Sequence, residues 1–332
     1  MRPLVSVIIP TYRGQKKLER AIKSIQRQTY DNIEIIVVDD NNPNTVERNE
    51  TEKIIKKLGL NSLIYIQHEK NKNGSAARNT GIKGAHGQYV CFLDDDDIYL
   101  PSRVEESVNE LEKKNECGAV FCNVLQLFAG DKCSVHKMDY ESLTVKGILL
   151  YEAAIGTGSN LFLRTDIAKE MGGFDESFLR HQDLEFSIRL FETCPVCIID
   201  KTLIIKAYNG VNNVPKYDKM KSVKEKYNRK FKTEIENLGS LDKNTYYINC
   251  YKSLYISALY SENFSEAIEN LRKMKQYDFV PGIKQGIQLL LSFFHMYHIV
   301  KRIFERENSP QKSRASIISL SQISPEILDV LD

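Results

Sequence analysis

Tyr89-Val90-Cys91-Phe92-Leu93-Asp94-Asp95-Asp96-Asp97 is the stretch whose reading decides the fold. An unbroken apolar run of this length predicts a buried strand, and the preceding Gly87-Gln88 marks where it starts. The aspartates then stand at its carboxyl end, the edge where a parallel sheet presents ligands. Packing such carboxylates together costs on the order of 1 kcal/mol per close pair even in water, and more as the site dries. Two readings stay open here. One is an acidic surface turn, because Asp is common in turns; the other is a site for a hard divalent cation, Mg²⁺ or Mn²⁺, which prefers carboxylate oxygen and bridges to phosphate.

Upstream of this run, strand-like and helix-like patterns alternate. Leu4 to Ile9 and Ile33 to Val38 read as buried strands, and Leu63 to Gln67 as a third. Between them, Lys16 to Gln28 carries Leu18, Ala21, Ile22 and Ile25 on one helical face, Val46 to Leu58 is a second helix, and a third opens near Ser75 as N-cap. Downstream, a helix over Arg103 to Lys114, a strand over Ala119 to Phe128, a strand over Asn160 to Arg164 and a helix over Asp183 to Thr193 are expected, while residues 130 to 160 yield no assignment. Repeated β-α-β order with continuous apolar strands implies an α/β fold, a mostly parallel sheet covered by helices on both faces.

A chain of 332 residues can hold one large or two modest domains without disulfide staples. Its net charge of +2 gives no whole-molecule attraction to nucleic acid. The seven cysteines are odd in number and sit mostly in apolar runs, as reduced thiols do; Cys194-Pro195-Val196-Cys197 has the C-x-x-C form, with no second pair nearby to complete a zinc site. No signal peptide is read at Met1-Arg2-Pro3 and no stretch is long enough to span a bilayer, so a cytoplasmic protein is expected.

Five segments in order carry a more specific pattern: Val7-Ile8-Ile9-Pro10-Thr11-Tyr12-Arg13, Val37-Val38-Asp39-Asp40, Gly74-Ser75-Ala76-Ala77-Arg78-Asn79-Thr80-Gly81, Phe92-Leu93-Asp94-Asp95-Asp96-Asp97, and Gly172-Gly173-Phe174-Asp175 leading to His181-Gln182-Asp183-Leu184-Glu185. On these residues the chain resembles the inverting glycosyltransferases of family 2, of the bacterial cell-surface polysaccharide type, over about residues 3 to 215. The resemblance implies a GT-A fold, a nucleotide-diphosphate sugar donor, usually a UDP-sugar, a Mn²⁺ or Mg²⁺ cofactor, and a glycan or lipid-linked acceptor.

It also implies roles. Pro10, Thr11, Tyr12, Arg13, Asp39, Arg78, Asp94 and Asp95 fall on donor-binding positions, with Asp39 reading the base and Asp95 in the variable place of a D-x-D motif. Asp96 becomes the main metal ligand, while Asp97, Gly158, Ser159, His181 and Gln182 contact the acceptor or support the site. Asp183 is the catalytic base; relatives usually have Glu-Asp where this chain has Gln182-Asp183. Many also carry a His near Tyr208-Asn209-Gly210-Val211-Asn212-Asn213 that helps hold metal or diphosphate; here Asn209 or Asn212 substitutes, or Asp96 and the phosphates suffice.

The residue chemistry is consistent with these roles. Arg and helix amino termini suit phosphate, and a carboxylate opening a helix is kept ionised by the dipole, ready to accept a proton. Two rivals remain: a nucleotidyltransferase, which Thr11-Tyr12-Arg13-Gly14 does not favour because it lacks a Gly- and Arg/Lys-rich signature after the first strand, and a GT-A binding module without turnover.

The expected domains are 1–215 catalytic, 216–308 helical and 309–332 a flexible tail. Lys216, Lys219, Lys221, Lys224, Lys226, Arg229 and Lys230 form a basic run that reads either as a solvated helix face or as a contact to anionic lipid. Tyr246 to Tyr260 with Phe264 to Lys275 reads as a helical hairpin, and Ile283 to Arg306 mixes apolar and basic residues. Peripheral membrane contact at the inner face of the cell membrane, packing on the catalytic domain and homo-oligomer formation are the uses these helices leave open.

Overall fold

The computed structural model describes residues 2–14, 16–128, 132–153, 155–207 and 215–282, with Gln285, Gln288 and Ile318–Ser319. The described residues divide into two compact units, the first drawn from Met1–Thr144, Ala154–Gly210 and Arg314–Asp332, the second from Val145–Ala153 and Val211–Ser313. The boundary read near residue 215 thus misses Val145–Ala153, which groups with the second unit.

The first unit opens with β1 (Val5–Thr11), α1 (Lys16–Gln26), β2 (Ile33–Asp39), α2 (Val46–Leu58), β3 (Leu63–Gln67), α3 (Gly74–Gly84) and β4 (Tyr89–Phe92). β1 pairs in parallel with β2 on one side and β4 on the other, and β2 with β3. Most of the buried residues of this block are branched or aromatic, which is why the strands read as continuous apolar runs. Val5, Val7 and Ile9 pack with Leu18, Ala21, Ile22 and Ile25, the face of α1 expected from its spacing. On the opposite face α3 comes so close that a Cβ at Gly81 would lie 2.4 Å from Ile8. The N-cap of α3 is Asn73, whose side chain accepts from the Ala76 amide; Ser75 lies inside the helix and is buried.

Then follow β5 (Asp97–Tyr99), α4 (Arg103–Lys113), β6 (Ala119–Phe128), β7 (Lys132–His136), α5 (Val145–Leu149), β8 (Phe162–Arg164), α6 (Thr165–Glu170), α7 (Gln182–Thr193) and β9 (Val196–Ala207). β8 runs antiparallel to both β4 and β6, so the sheet is mixed, in the order β7-β6-β8-β4-β1-β2-β3. β9 lies parallel to β6 and pairs antiparallel with β5, which sets Lys206 opposite Asp97. Ile318–Ser319, taken as β10, adds to the edge at β7.

The second unit contains α5, α8 (Tyr217–Lys230), α9 (Lys232–Glu236), α10 (Ser240–Tyr260) and α11 (Phe264–Lys275). Leu254, Tyr255, Ala258 and Leu259 of α10 meet Ala267, Leu271 and Met274 of α11, closed by Tyr217 and Met220 of α8. One member of the basic run departs from both of its readings: Lys224 is buried, its ammonium on the Tyr151 hydroxyl and 4.8 Å from the Tyr151 ring centroid. The stem of a lysine can bury in this way when its charge finds a hydroxyl and a π face. The expected helix over Ile283 to Arg306 and tail over 309–332 lie outside the described residues, apart from Gln285, Gln288 and Ile318–Ser319. No helix among the described residues is long and apolar enough to cross a membrane.

Candidate functional site

Register brings the motif segments together. Thr11 of β1 stands beside Asp39 of β2, and Ile8 beside Phe92 of β4, so three strands end on one edge. The Leu93 amide donates to the Ile8 carbonyl (2.9 Å), carrying that edge one residue further. The Asp97 amide then donates to the Asp94 carbonyl (3.0 Å), closing a turn with Asp95 and Asp96 at its tip.

The turn gives four like residues four environments. Asp95 points back into the protein, accepting from Thr11 Oγ1 (2.6 Å) and the Tyr12 amide. Gly14 sits so near that a Cβ there would be 2.1 Å from Asp95 Oδ2, a close approach only glycine permits. Burial, with the charges of Asp96 and Asp94, pushes the Asp95 carboxyl up to about 6. Asp95 therefore ties the acidic turn to the end of β1. Asp97 is fully enclosed, accepting from Ser159 Oγ (2.6 Å) and Thr157 Oγ1 (2.7 Å), and burial followed by the Asp94 charge pushes it up to about 7 against the pull of Lys206. Asp94 and Asp96 stay partly open, with side chains 30% and 34% exposed.

These two line a cleft of about 460 Å³. Its sheet-edge wall is Pro10, Thr11, Tyr12, Asp40, Asp94, Asp95 and Asp96; α3 adds Gly74, Ala77 and Arg78; the opposite rim is Leu179, Arg180, His181, Gln182 and Asp183, with Gly158 and Lys206 beside them. Arg78 is the link between the walls, donating to Asp94 Oδ1 (2.5 Å) and to Gln182 Oε1 (3.1 Å). The Asp94 amide in turn donates to Ser159 Oγ (2.9 Å), so the loop around residue 158 is stitched to the acidic turn. Buried Arg103 braces that loop from behind through the Asn160 carbonyl (3.1 Å), with its guanidinium over the Tyr99 and Phe162 rings.

Asp183 lies in the first turn of α7, where unpaired amides and the helix dipole favour a carboxylate. His181 before it takes a left-handed conformation (φ 59) and gives the helix no side-chain cap. Behind them, buried Glu185 pairs with the half-buried Arg189 (2.6 Å), and Arg189 also holds the Met171 and Gly173 carbonyls. The glycine turn and α7 are thereby locked together.

Of the residues expected at the site, Pro10, Thr11, Tyr12, Arg78, Asp94, Asp95, Asp96, Gly158, His181, Gln182 and Asp183 meet on the cleft; Arg13, Asp39, Asp97 and Ser159 do not line it. Asp39 is fully buried: Oδ1 accepts from the Asn41 amide and Nδ2, Oδ2 from the Tyr65 hydroxyl (2.5 Å), and Arg48 Nε is 3.2 Å away. Reading a base would require this enclosed carboxyl to be uncovered. Arg13 lies over the Tyr12 ring, 5.0 Å from its centroid, and 3.9 Å from Glu47. Arg180 and Lys206 line the cleft as well, outside the motif positions. For Lys206 the only sequence trace is its place in a strand; its register against Asp97 comes from the fold. Asn209 and Asn212 lie outside the described residues.

For a metal, the donor set is two carboxylates, Asp94 and Asp96, open to the cleft. Among the described residues no three His, Cys, Asp or Glu side chains gather into a ready-made cage. Such a pair fits a hard cation that takes its other ligands from a phosphate and water, as Mg²⁺ does. The thiols, all free among the described residues, offer nothing comparable.

The sequence pattern of Glycosyl transferase family 2 matches residues 6–172. An uncharacterized glycosyltransferase of Rickettsia felis is 31% identical over 211 residues, which are 62% of this chain and 34% of that protein. The amylovoran biosynthesis glycosyltransferase AmsB of Erwinia amylovora is 29% identical over 192 residues, 55% of this chain and 62% of AmsB. The chain thus spans about a third of the length of the first of these curated relatives. Among solved structures, S. aureus TarS 1–349 in complex with UDP-GlcNAc superimposes with a TM-score of 0.56 at 16% identity, covering 83% of this chain and 91% of that one. At that identity the likeness is one of fold.

Proposed function

The chain belongs to glycosyl transferase family 2, and on that premise we propose that it moves a sugar from a nucleotide-diphosphate donor, a UDP-sugar, to a hydroxyl of a glycan or lipid-linked acceptor in cell-surface polysaccharide synthesis, inverting the anomeric carbon. A hexosyl or N-acetylhexosaminyl group is the cargo. The observation that carries this is the meeting, on one cleft, of the open pair Asp94 and Asp96, the bridging Arg78 and the opposed Asp183. Two relatives lend support: AmsB by its role in amylovoran biosynthesis, and TarS by the UDP-GlcNAc in its structure.

Each residue then has a task. The half-exposed Tyr12 ring offers a stacking face for the base, and Thr11 with Asp95 fixes the turn on which Asp94 and Asp96 sit. Arg78 and Lys206 face the diphosphate, and Gln182 holds Arg78 in place without neutralising it. Asp94 and Asp96 would hold Mn²⁺ or Mg²⁺, which would supply positive charge for the leaving diphosphate. Asp183 accepts the acceptor hydroxyl proton while that oxygen bonds to the anomeric carbon and the bond to the diphosphate breaks on the opposite side. One displacement inverts the configuration.

A thermal-shift screen of nucleotide sugars with Mn²⁺ tests the reading. A donor present at 100 times its dissociation constant stabilises the folded state by about 2.7 kcal/mol, so the true donor gives the largest rise in Tm. A flat response to every UDP-sugar, with no hydrolysis of any, would overturn the proposal.

A further inference from the structure

Arg180 leads into α7 and lines the cleft, yet no hydrogen bond or ion pair reaches its guanidinium among the described residues, and its Nε is sealed from solvent without an acceptor. The other cations there are engaged. Arg78 donates to Asp94 and Gln182, and Lys206 donates to the Gly156 carbonyl (2.9 Å). A guanidinium nitrogen shut away from water without an acceptor is costly. Burial pulls the Arg180 pKa down from its usual value, and Asp183 is the carboxylate whose charge opposes that pull. Arg180 stands three residues before Asp183 and lines the same cleft.

We propose that Arg180 is an anion-recognition residue for the acceptor, so that the attacking hydroxyl belongs to a molecule bearing an oxyanion, a phosphate or a carboxylate, which docks on Arg180 as its hydroxyl meets Asp183. The inference rests on the glycosyl-transfer reading and on Asp183 as its base. The planar fork of a guanidinium pairs two oxygens of either anion at once, which fixes direction as well as distance and holds the hydroxyl in line. A neutral acceptor would leave the guanidinium as it stands among the described residues, half-buried and without an ion-pair partner. Arg180 acts by positioning the acceptor; proton transfer stays with Asp183.

Ligand-observed NMR titration of the full chain saturated with UDP and Mn²⁺ tests this, with glycerol 3-phosphate and glucuronate as anionic probes and glycerol as the neutral one. At least one anion should bind and glycerol should not. Arg180→Gln should weaken that binding by about 10-fold or more, as loss of a charge-assisted pair does, with Arg180→Lys in between and UDP affinity within about 2-fold of wild type. Retained UDP binding also shows that the variants are folded. Absence of anion binding to the wild type, or equal binding to Arg180→Gln, overturns the inference. So does a 10-fold loss of UDP affinity in Arg180→Gln, which would assign the residue to the donor. Failure of UDP to bind the wild type instead overturns the donor reading, and the inference falls with it.

Discussion

Asp39 and Asp40 close β2, and Asp94 and Asp96 follow β4, two strands away on the same edge of the sheet. At β2 the protein supplies the donors itself. Asp39 has Asn41, Tyr65 and Arg48; Asp40 has His68 Nδ1 (2.7 Å), Asn71 Nδ2 (2.8 Å) and the amides of Lys72 and Asn73. At β4 it leaves Asp94 and Asp96 a third exposed and facing a cleft. A carboxylate surrounded by internal donors stabilises a loop, whereas one left open invites a ligand. Strand position is the same in both cases; how far the fold encloses each carboxylate makes the difference.

Breaking the open side should cost chemistry and spare the fold. Asp183→Asn is expected to lower transfer by about 10³-fold, within the usual range for removing a general base, while UDP affinity and Tm stay near wild type. Ordinary turnover by that variant would remove Asp183 from its role.

Breaking the closed side should do the reverse. Arg48→Met leaves the enclosed Asp39 without its ion-pair partner, and chemical denaturation should show a loss of about 3–5 kcal/mol. Asp94→Asn, in contrast, should leave stability near wild type and weaken UDP binding. Equal destabilisation by the two would erase the distinction.

Asp97 joins the two behaviours, being enclosed yet beside the charge of Asp94, and pH should expose it. Its carboxyl is raised from 3.8 to about 7 in the folded protein, so the native state holds a proton that the unfolded chain releases between about pH 4 and 7. Stability from this group is thus lost as pH rises through that window. Asn cannot ionise, so in metal-free protein Asp97→Asn should gain on wild type by on the order of 2 kcal/mol between pH 5 and pH 8. A constant difference across that range would show that Asp97 titrates normally.

Much of the sheet was legible because its strands are continuous apolar runs bounded by polar turns. Val46–Leu58, Leu63–Gln67 and Ala119–Phe128 begin and end where the periodicity places them. Residues 130 to 160 were not legible, since β7 has few buried apolar residues and the loop that follows is held by side-chain bonds such as Asn160 Nδ2 to the Cys122 carbonyl (2.8 Å). At the site, motif order placed Asp94, Asp96, Arg78 and Asp183 on one cleft. It could not show that Asp39 is buried against Arg48 and Tyr65, or that Lys206 stands opposite Asp97, because pairings across the fold leave no periodic trace. The cap of α3 shows the same limit on a small scale: Ser75 and Asn73 are both good capping residues, and the backbone selects Asn73.

The central claim, that Asp94 and Asp96 are left open for a metal and nucleotide diphosphate together, is tested most directly by calorimetric titration of UDP with and without Mn²⁺ into wild type and Asp96→Ala. Mn²⁺ should tighten UDP binding to the wild type by about 10-fold or more, the scale of one well-placed charge-assisted contact, and leave the variant unchanged. The same UDP affinity with and without Mn²⁺ in the wild-type protein would contradict it.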